Sequence, residues 1–596
     1  MSTILKTEGI SESSLYYKVD QDLRNLNSPV QLGFEPIAHQ TVQQLGTVRP
    51  FPSPTPASQI TAQGNYQGLL QGPTVPSTST AIAQFRTQIS PDLRDLEQKY
   101  STSIICLFPH ESSSEQLESD FGTGNRHWVG GNFVRLPHNP ANTAIPTLAN
   151  NHQRHLDSVK KWDIIKGELA MLNKFISEKK LDMSQAGNQI HASVRKFNSK
   201  VNDFSFNLLN DRRVSSSLQT AFPIISRAAL EIDKRFTSGI PILRKNQQKT
   251  LFLTQGQIRC ILANAFLCTF PKRFELVGQE LPEINFFKLF DGGARGNSKP
   301  KLEKIVCILN YFKEIGRLEG EGSLISFERK SGGNPPDWTI SKEQMSMVHV
   351  DHRNRIEDAR ESLQIDFANR LVGGGVTGNG ALMEEIRFSI CPELIAARLF
   401  TEALESNEVM IITGCQQFSL YSGCADTFAF KGTFCNDPRD PVVLDPFGRR
   451  KGQIAVMDAC YFRANEAERQ FEKEFVHREL NKCFCAFKLR SQQNHVSPIA
   501  TGNWGCGNYN GSPELKFIIQ WMAASQAGQR ALHYYVMGNK EQGEDILRTV
   551  KSLGRKGVRV GTLCEALKCY YLTEIKSPSF FKSPKSLFQF LEKHFK

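Results

Sequence analysis

After residue 320 the chain alternates short strand-like runs with helical stretches, and this alternation limits its fold more than any other feature. The runs are "SLISFERK", "SMVHV", "SLQIDFA", "VMIITG", "IAVMDACYF" and "ALHYYVM"; "CPELIAARLFTEAL" and "SPELKFIIQWMAAS" are among the helical stretches between them. Interleaving of this kind predicts an α/β domain with a mixed sheet, whose ligand sites lie in loops at strand ends. Residues 157 to about 313 have a different texture. "SVKKWDIIKGELAMLNKFI" places Trp162, Ile165, Leu169, Leu172 and Ile176 on one helical stripe. "TQGQIRCILANAFLCTF" opens on Thr254, a suitable N-cap, and is apolar nearly all round, which predicts a buried helix.

These shifts divide the chain into 1–118, 119–318 and 319–596. The first part is rich in Ser, Thr, Gln and Pro and lacks apolar periodicity, so it is expected to be largely disordered, with "TSIICLFP" as the one local anchor. The net charge of +12 favours an anionic partner. No apolar run reaches the ~20 residues of a membrane span, and the N-terminus lacks a signal-peptide apolar region. The 14 cysteines show no zinc spacing, and Cys483 and Cys485 in "CFC" stand too close for a zinc knuckle. Reduced thiols in a nuclear or cytosolic protein are the simplest reading.

The densest motif is "LQIDFANRLVGGGVTGNGALMEEIRFSI". A strand-like run, 363–368, feeds a glycine-rich loop and then a helical pattern. Glycines let backbone amides approach a ligand, and a helix N-terminus adds positive potential, so the arrangement suits a diphosphate. The adjacent Glu384 and Glu385 should repel one. Gly373, Gly375 and Gly378 match G-x-G-x-x-G, but the acidic residue expected ~20 positions on should end a strand, and Glu393 lies in a helical stretch. Gly375 and Gly380 have Walker A spacing, but Ala381 stands where lysine is required. The plain alternative is a turn followed by an acidic first helical turn, which the helix dipole favours. A second cluster, "ATGNWGCGNYNGSPELKFIIQ", carries Gly502, Gly505, Gly507 and Gly511 with Trp504 and Tyr509 between them, ahead of a helix near Pro513. Two such loops can clamp one diphosphate from both sides, and aromatics can cover a ribose or base. For Trp504 taken alone, core packing is the favoured reading.

"GGGVTGNGALMEEIRF" and "TGNWGCG", with "DFANR" directly ahead of the first, resemble the poly(ADP-ribose) glycohydrolases of eukaryotic type. "LANAFLCTFPKR", "INFFKLF", "RLFTEALESNEVMIITG" and "FVHRELNK" extend the resemblance, in order, over roughly residues 120 to 570. It implies a macrodomain, a mixed sheet sandwiched by helices, preceded by a helical accessory domain. It implies hydrolysis of ribose–ribose O-glycosidic bonds in poly(ADP-ribose), with no metal and no cofactor. Poly(ADP-ribose) and poly(ADP-ribosyl)ated proteins are the implied partners, with no membrane, no sequence-specific nucleic acid, and a monomeric enzyme.

The resemblance also implies roles. Glu385 resembles the acid/base, Glu384 the group orienting the scissile ribose, and Asp366 and Asn369 the residues supporting the acidic loop and binding ribose. Gly373, Gly374 and Gly375 are expected on the diphosphate, opposite a second loop formed by Asn503, Trp504, Gly505, Cys506, Gly507, Asn508 and Tyr509. Ile356 and Glu357 resemble an adenine-contacting pair. The glycines would then hold the diphosphate while the glutamates face the sugar, where a carboxylate stabilises an oxocarbenium-like state and a protonated carboxyl serves the leaving hydroxyl. Burial there should raise a glutamate pKa.

Three positions depart from the family pattern. Met383 replaces a substrate-contacting glutamine and cannot hydrogen-bond as an amide does. Phe428, in "CADTF", replaces a tyrosine and is expected to stack on substrate without its hydroxyl. Met537 stands where an aromatic would cover adenine. An active glycohydrolase is thus weighed against a module that binds the polymer and hydrolyses it poorly, and the intact glutamate pair favours the enzyme. A nucleotide-dependent oxidoreductase is disfavoured by the missing strand-end acid.

Overall fold

The computed structural model of the chain describes residues 104–106, 131–144, 159–178, 182–271, 280–293, 298–318, 320–435, 443–488, 498–576 and 585–596. The disorder expected of residues 1–118 lies outside these, apart from the short strand at 104–106.

The strand patterns assemble into one nine-stranded sheet. Its members are β1 (Ile104–Cys106), β2 (Lys249–Thr254), β3 (Leu324–Ser331), β4 (Met347–Asp351), β5 (Leu363–Ala368), β6 (Glu408–Thr413), β7 (Gln453–Asp458), β8 (Ile499–Gly502) and β9 (Ala531–Tyr535). They lie in the order β1-β2-β3-β6-β7-β5-β8-β9-β4. All six predicted strands are present. β1 comes from "TSIICLFP", the expected anchor, and runs parallel to β2 at the sheet edge. β2 comes from the part of the chain whose pattern is otherwise helical, and pairs antiparallel with β3. β8 escapes sequence reading because "IATG" is short and built from small residues.

β7, β5, β8, β9 and β4 form a parallel block, so all five end at the same edge. The loops leaving β5 and β8 are the two glycine clusters. Both therefore open where ligand sites of α/β sheets occur.

Alternation along the strands sends side chains to two cores. Met410, Ile412, Ile454 and Val456 join the core built with the N-terminal helices, while Val409, Ile411, Ala455 and Met457 join the other. β6 is buried along its whole length, as a strand covered on both faces should be. On the first face lie α1 (Lys161–Ser177), α2 (Arg212–Leu230), α3 (Gln255–Phe266), α4 (Lys299–Ile315) and α5 (Met383–Ile390). On the second lie α6 (Lys473–Phe487) and α7 (Pro513–Gln526). The predicted stripe of α1 is buried at all five positions. Thr254 caps α3 as expected: its Oγ1 accepts the Gln257 N–H at 2.9 Å, and Gln257 Oε1 accepts the Thr254 N–H at 3.0 Å. No helix of the described residues is long and apolar enough to cross a membrane. Glu393 sits in a buried 3-10 turn, Pro392–Ala396, and accepts from Gln255 Nε2 and the Gln416 N–H. It is a core residue and ends no strand.

Candidate active site

β5 delivers Asp366 and Asn369 to the edge of the sheet. The chain then loops through Gly373–Gly375 and enters α5 at Met383, which places both glutamates in the first helical turn. A helix N-terminus has unpaired amides and a positive dipole end, and both favour carboxylates. Glu385 Oε2 accepts the Leu382 N–H at 2.9 Å, and its Oε1 accepts the Gly375 N–H at 2.8 Å. Glu384 is buried; its Oε2 accepts the Asn369 N–H at 2.8 Å and its Oε1 the Gly373 N–H at 2.6 Å. The plain reading of an acidic helix start thus holds in part, because the carboxylates do satisfy free amides.

These bonds revise the expected task of the glycines. The amides of Gly373 and Gly375 are committed to the glutamates, and that of Gly374 donates to the Leu371 carbonyl at 3.0 Å. The three glycines thus seat the carboxylates rather than offering these amides to a diphosphate. A Cβ on Gly374 would lie 2.5 Å from Glu385 Oε1 and 2.6 Å from Glu384 Oε2. One on Gly380 would lie 2.6 Å from Glu385 Cδ. Glycine and glutamate occur together because the carboxylates fill the space that side chains would take.

The carbonyl side of the loop faces two buried cations that sequence reading missed. Lys304 Nζ, from α4, donates to the carbonyls of Gly375, Val376, Gly378 and Gly380 at 3.3, 3.1, 2.7 and 2.5 Å. Arg398 Nη1 donates to those of Val372 and Gly374 at 2.8 and 2.9 Å. The available sequence signal is that Lys304 shares a helix face with the buried Ile308 and Tyr311.

Burial raises the Glu384 carboxyl well above the usual range, and the charges of Asp366 and Glu385 push the same way. Burial also lifts Asp366 to about 7, opposed by the nearby Arg387 guanidinium and reinforced by Glu385. Asp366 Oδ2 is buried without a hydrogen-bond partner. A carboxyl cluster of this kind retains protons near neutral pH. A stability consequence follows. Native Asp366 keeps its proton up to about 7, whereas the unfolded chain releases it near the ordinary 3.8. Between those limits the native state binds more protons, so this group costs stability progressively as pH rises and costs most above 7. Asp366→Asn should raise the melting temperature at pH 8 and leave it nearly unchanged at pH 4, as paired thermal melts across that range would show.

Other expected residues gather on the same edge. Ile356, Glu357, Asp366, Met383, Arg387 and Tyr421 line one cleft. Tyr421 was not anticipated. It follows β6 on a two-stranded ribbon, donates its hydroxyl to Glu357 Oε1, and carries the Arg355 guanidinium 4.4 Å from its ring centroid. In the second loop, the Tyr509 hydroxyl accepts from Asn369 Nδ2 at 3.1 Å and so ties the two loops together. Asn503 Oδ1 accepts from the Tyr534 hydroxyl at 3.0 Å and Gln542 Nε2 at 2.7 Å. Gly507 and Asn508 are exposed at the loop tip, and Cys506 is half-buried. Gly505 has φ +74°, and a Cβ there would meet Ala459 Cβ at 2.6 Å. Met537, also left-handed at φ +46°, is exposed beyond the end of β9.

Two aromatic expectations need correction. The Trp504 side chain is buried, donates Nε1–H to the Met457 carbonyl at 3.0 Å and lies 4.4 Å beneath the Lys516 ammonium; it is core, not a substrate contact. Phe428 is likewise buried in the first core, behind Tyr421, with ring centroids 6.1 Å apart. It cannot stack on a ligand, because the core covers both its faces. Phe428→Tyr should therefore lower the melting temperature without improving ADP-ribose affinity, and Phe428→Ala should cost about 3–5 kcal/mol of stability. Denaturation and ligand titration of both variants would check this.

Comparison with known proteins decides the family. Residues 335–544 match the family model described as poly(ADP-ribose) glycohydrolase, macro domain fold, and residues 209–329 match its helical domain. The chain is 32% identical over 396 residues to poly(ADP-ribose) glycohydrolase 1 of Arabidopsis thaliana, covering 54% of this chain and 71% of that one. The chain belongs to the poly(ADP-ribose) glycohydrolase family. Poly(ADP-ribose) glycohydrolases 1 and 2 of Caenorhabditis elegans are each 32% identical, over 272 and 271 residues; each match covers 44% of this chain, with 34% and 56% of those proteins. The macro domain match includes both glycine loops and the glutamate pair, whereas Lys304 lies in the helical match. In this poly(ADP-ribose) glycohydrolase-family chain, the loop carrying the glutamates is thus held from both parts.

Proposed function

We propose that the chain hydrolyses ribose–ribose O-glycosidic bonds in poly(ADP-ribose), releasing ADP-ribose, with Glu385 as the acid and base. In a chain of this family, the observation that carries the reading is the paired carboxylates at the exit of the glycine loop, one buried and one half-exposed.

The half-exposed member, Glu385, suits the group that meets the sugar. Glu384, tied to two amides and buried, suits orientation of the ribose. Asp366, lifted to about 7, and the raised Glu384 carboxyl beside it make a proton available to Glu385, which passes it to the leaving hydroxyl. Departure of that hydroxyl leaves positive charge on the ribose, which the carboxylates stabilise. Having passed that proton on, Glu385 is a carboxylate again and takes one from the attacking water, whose oxygen forms the new bond to the ribose carbon as the free ADP-ribose is completed. Tyr421, Ile356 and Glu357 offer an apolar wall with a polar rim for the adenosine end of the substrate. The cysteines whose side chains are described are free thiols, which suits the nucleus or cytosol, where we place the enzyme.

Incubating the purified protein with poly(ADP-ribose) and measuring free ADP-ribose tests the reading. Polymer that binds but is not cleaved would replace it with that of a binding module. Met383 lines the cleft beside Asp366 and has no donor to offer. Met383→Gln should therefore raise kcat/KM for the polymer several-fold, and an unchanged or lower value would mean that the cleft has adapted to methionine.

A further inference from the structure

We propose that Arg398 and Lys304 are positioning residues for the reaction: a clamp on the carbonyl face of the glycine loop that aims its amides, and through them Glu384 and Glu385, at the substrate. This rests on the reading of Glu385 as the catalytic acid and base.

The geometry follows from the flatness of the peptide bond. In a trans peptide the carbonyl and the N–H point to opposite sides of one rigid plane. The Val372 carbonyl bonds Arg398 Nη1 at 2.8 Å, and the N–H of the same peptide unit, on Gly373, bonds Glu384 at 2.6 Å. The Gly374 carbonyl bonds Arg398 Nη1 at 2.9 Å, and its N–H partner, on Gly375, bonds Glu385 at 2.8 Å. One buried guanidinium thus fixes two peptide planes, and each presents its N–H to one glutamate. Arg398 is itself anchored by Nε donating to the Glu283 carbonyl at 3.0 Å. A Cβ on Gly373 would come within 3.0 Å of Arg398 Nη1, so the close approach requires glycine at that position.

Lys304 fastens the rest of the loop by donating to its four carbonyls. The charged groups acting on it are Glu385 from α5, Lys301 on its own helix and Arg398; burial, the largest influence, brings it down to about 7. Below that pH the ammonium has three N–H donors for the carbonyls. Above it, the neutral amine turns a lone pair toward a carbonyl oxygen, and the hold weakens. Lys304 comes from the helical domain, so this contact also explains why the macro domain works with that domain attached.

The test uses Arg398→Lys and Lys304→Met in the full chain. Both should lower kcat on poly(ADP-ribose) by about tenfold or more, because small misplacements of reacting groups are costly. ADP-ribose affinity should stay within a few-fold. Wild-type kcat/KM should decline as pH rises past about 7, because Asp366 gives up its proton and Lys304 loosens its hold over the same range, and the decline should be shallower in Lys304→Met, where only the first cause remains. Wild-type kcat in either folded variant, equal losses of kcat and affinity, or an alkaline decline as steep in Lys304→Met as in the wild type would overturn the proposal. Should both variants fail to fold, a wild-type profile that stays flat above neutral pH overturns it. If Glu385→Gln proves active, the catalytic reading fails. If that variant is inactive while Lys304→Met and Arg398→Lys are normal, only the clamp fails.

Discussion

Glu385→Gln should cut turnover of poly(ADP-ribose) by at least about 100-fold while ADP-ribose affinity stays within a few-fold, since general acid–base catalysis contributes roughly 10²–10⁴. The substitution is nearly isosteric and keeps one oxygen to accept from Gly375 or Leu382. Its amide group would face the other N–H, so one of the two backbone bonds is lost. That loss is local and leaves Asn369, Tyr509 and the cleft around Tyr421 in place, which is why binding should persist. What disappears is the ability to give and take a proton. Release of ADP-ribose measured alongside calorimetric binding separates the two effects. Near-normal turnover would sink the assignment. Parallel loss of turnover and affinity would mean that Glu385 mainly holds the loop together.

Much of this arrangement was legible in the sequence, and the residues that were not share a reason. Period and punctuation revealed six of the nine strands of the sheet, the stripe of α1 and the Thr254 cap, because those signals are local. The strand–glycine–glutamate order likewise marked the exit of β5. Burial is not local. The family resemblance cast Trp504 and Phe428 as ligand contacts, although core packing is the favoured reading of Trp504 alone, and the fold turns both into the cores. Lys304 and Arg398 give no sequence signal of their role, since nothing nearby in sequence announces that their partners are backbone carbonyls many residues away. The direction of an amide is also invisible in a list of residue types. The sequence shows that glycines and glutamates occur together, but only the folded loop reveals that the amides serve the carboxylates.

That distinction makes Gly374→Ala the sharpest test of the loop. If the glycines exist to let a phosphate approach, alanine at any of them should weaken binding by similar amounts. If they exist to make room for the carboxylates, position alone decides. At Gly374 the backbone has φ +45°, a region that costs an L-residue about 1–2 kcal/mol. Its Cβ would stand 2.5 and 2.6 Å from oxygens of Glu385 and Glu384, too close for any real contact. Both carboxylates are tied to backbone amides, so neither can yield without breaking the bonds that aim it. Displacement by ~1 Å can cost about 10²-fold in rate, and here two groups move at once. Gly374→Ala should therefore lose turnover by at least that factor. Gly378, four residues on in the same loop, is the control: a Cβ there meets nothing nearer than the Gly375 carbonyl at 3.7 Å. Gly378→Ala keeps the carbonyl that Lys304 holds, and it should retain close to full activity. Equal losses at the two positions in polymer turnover assays would show that the loop's glycines serve the ligand directly, and the account of them as seats for the glutamates would fall.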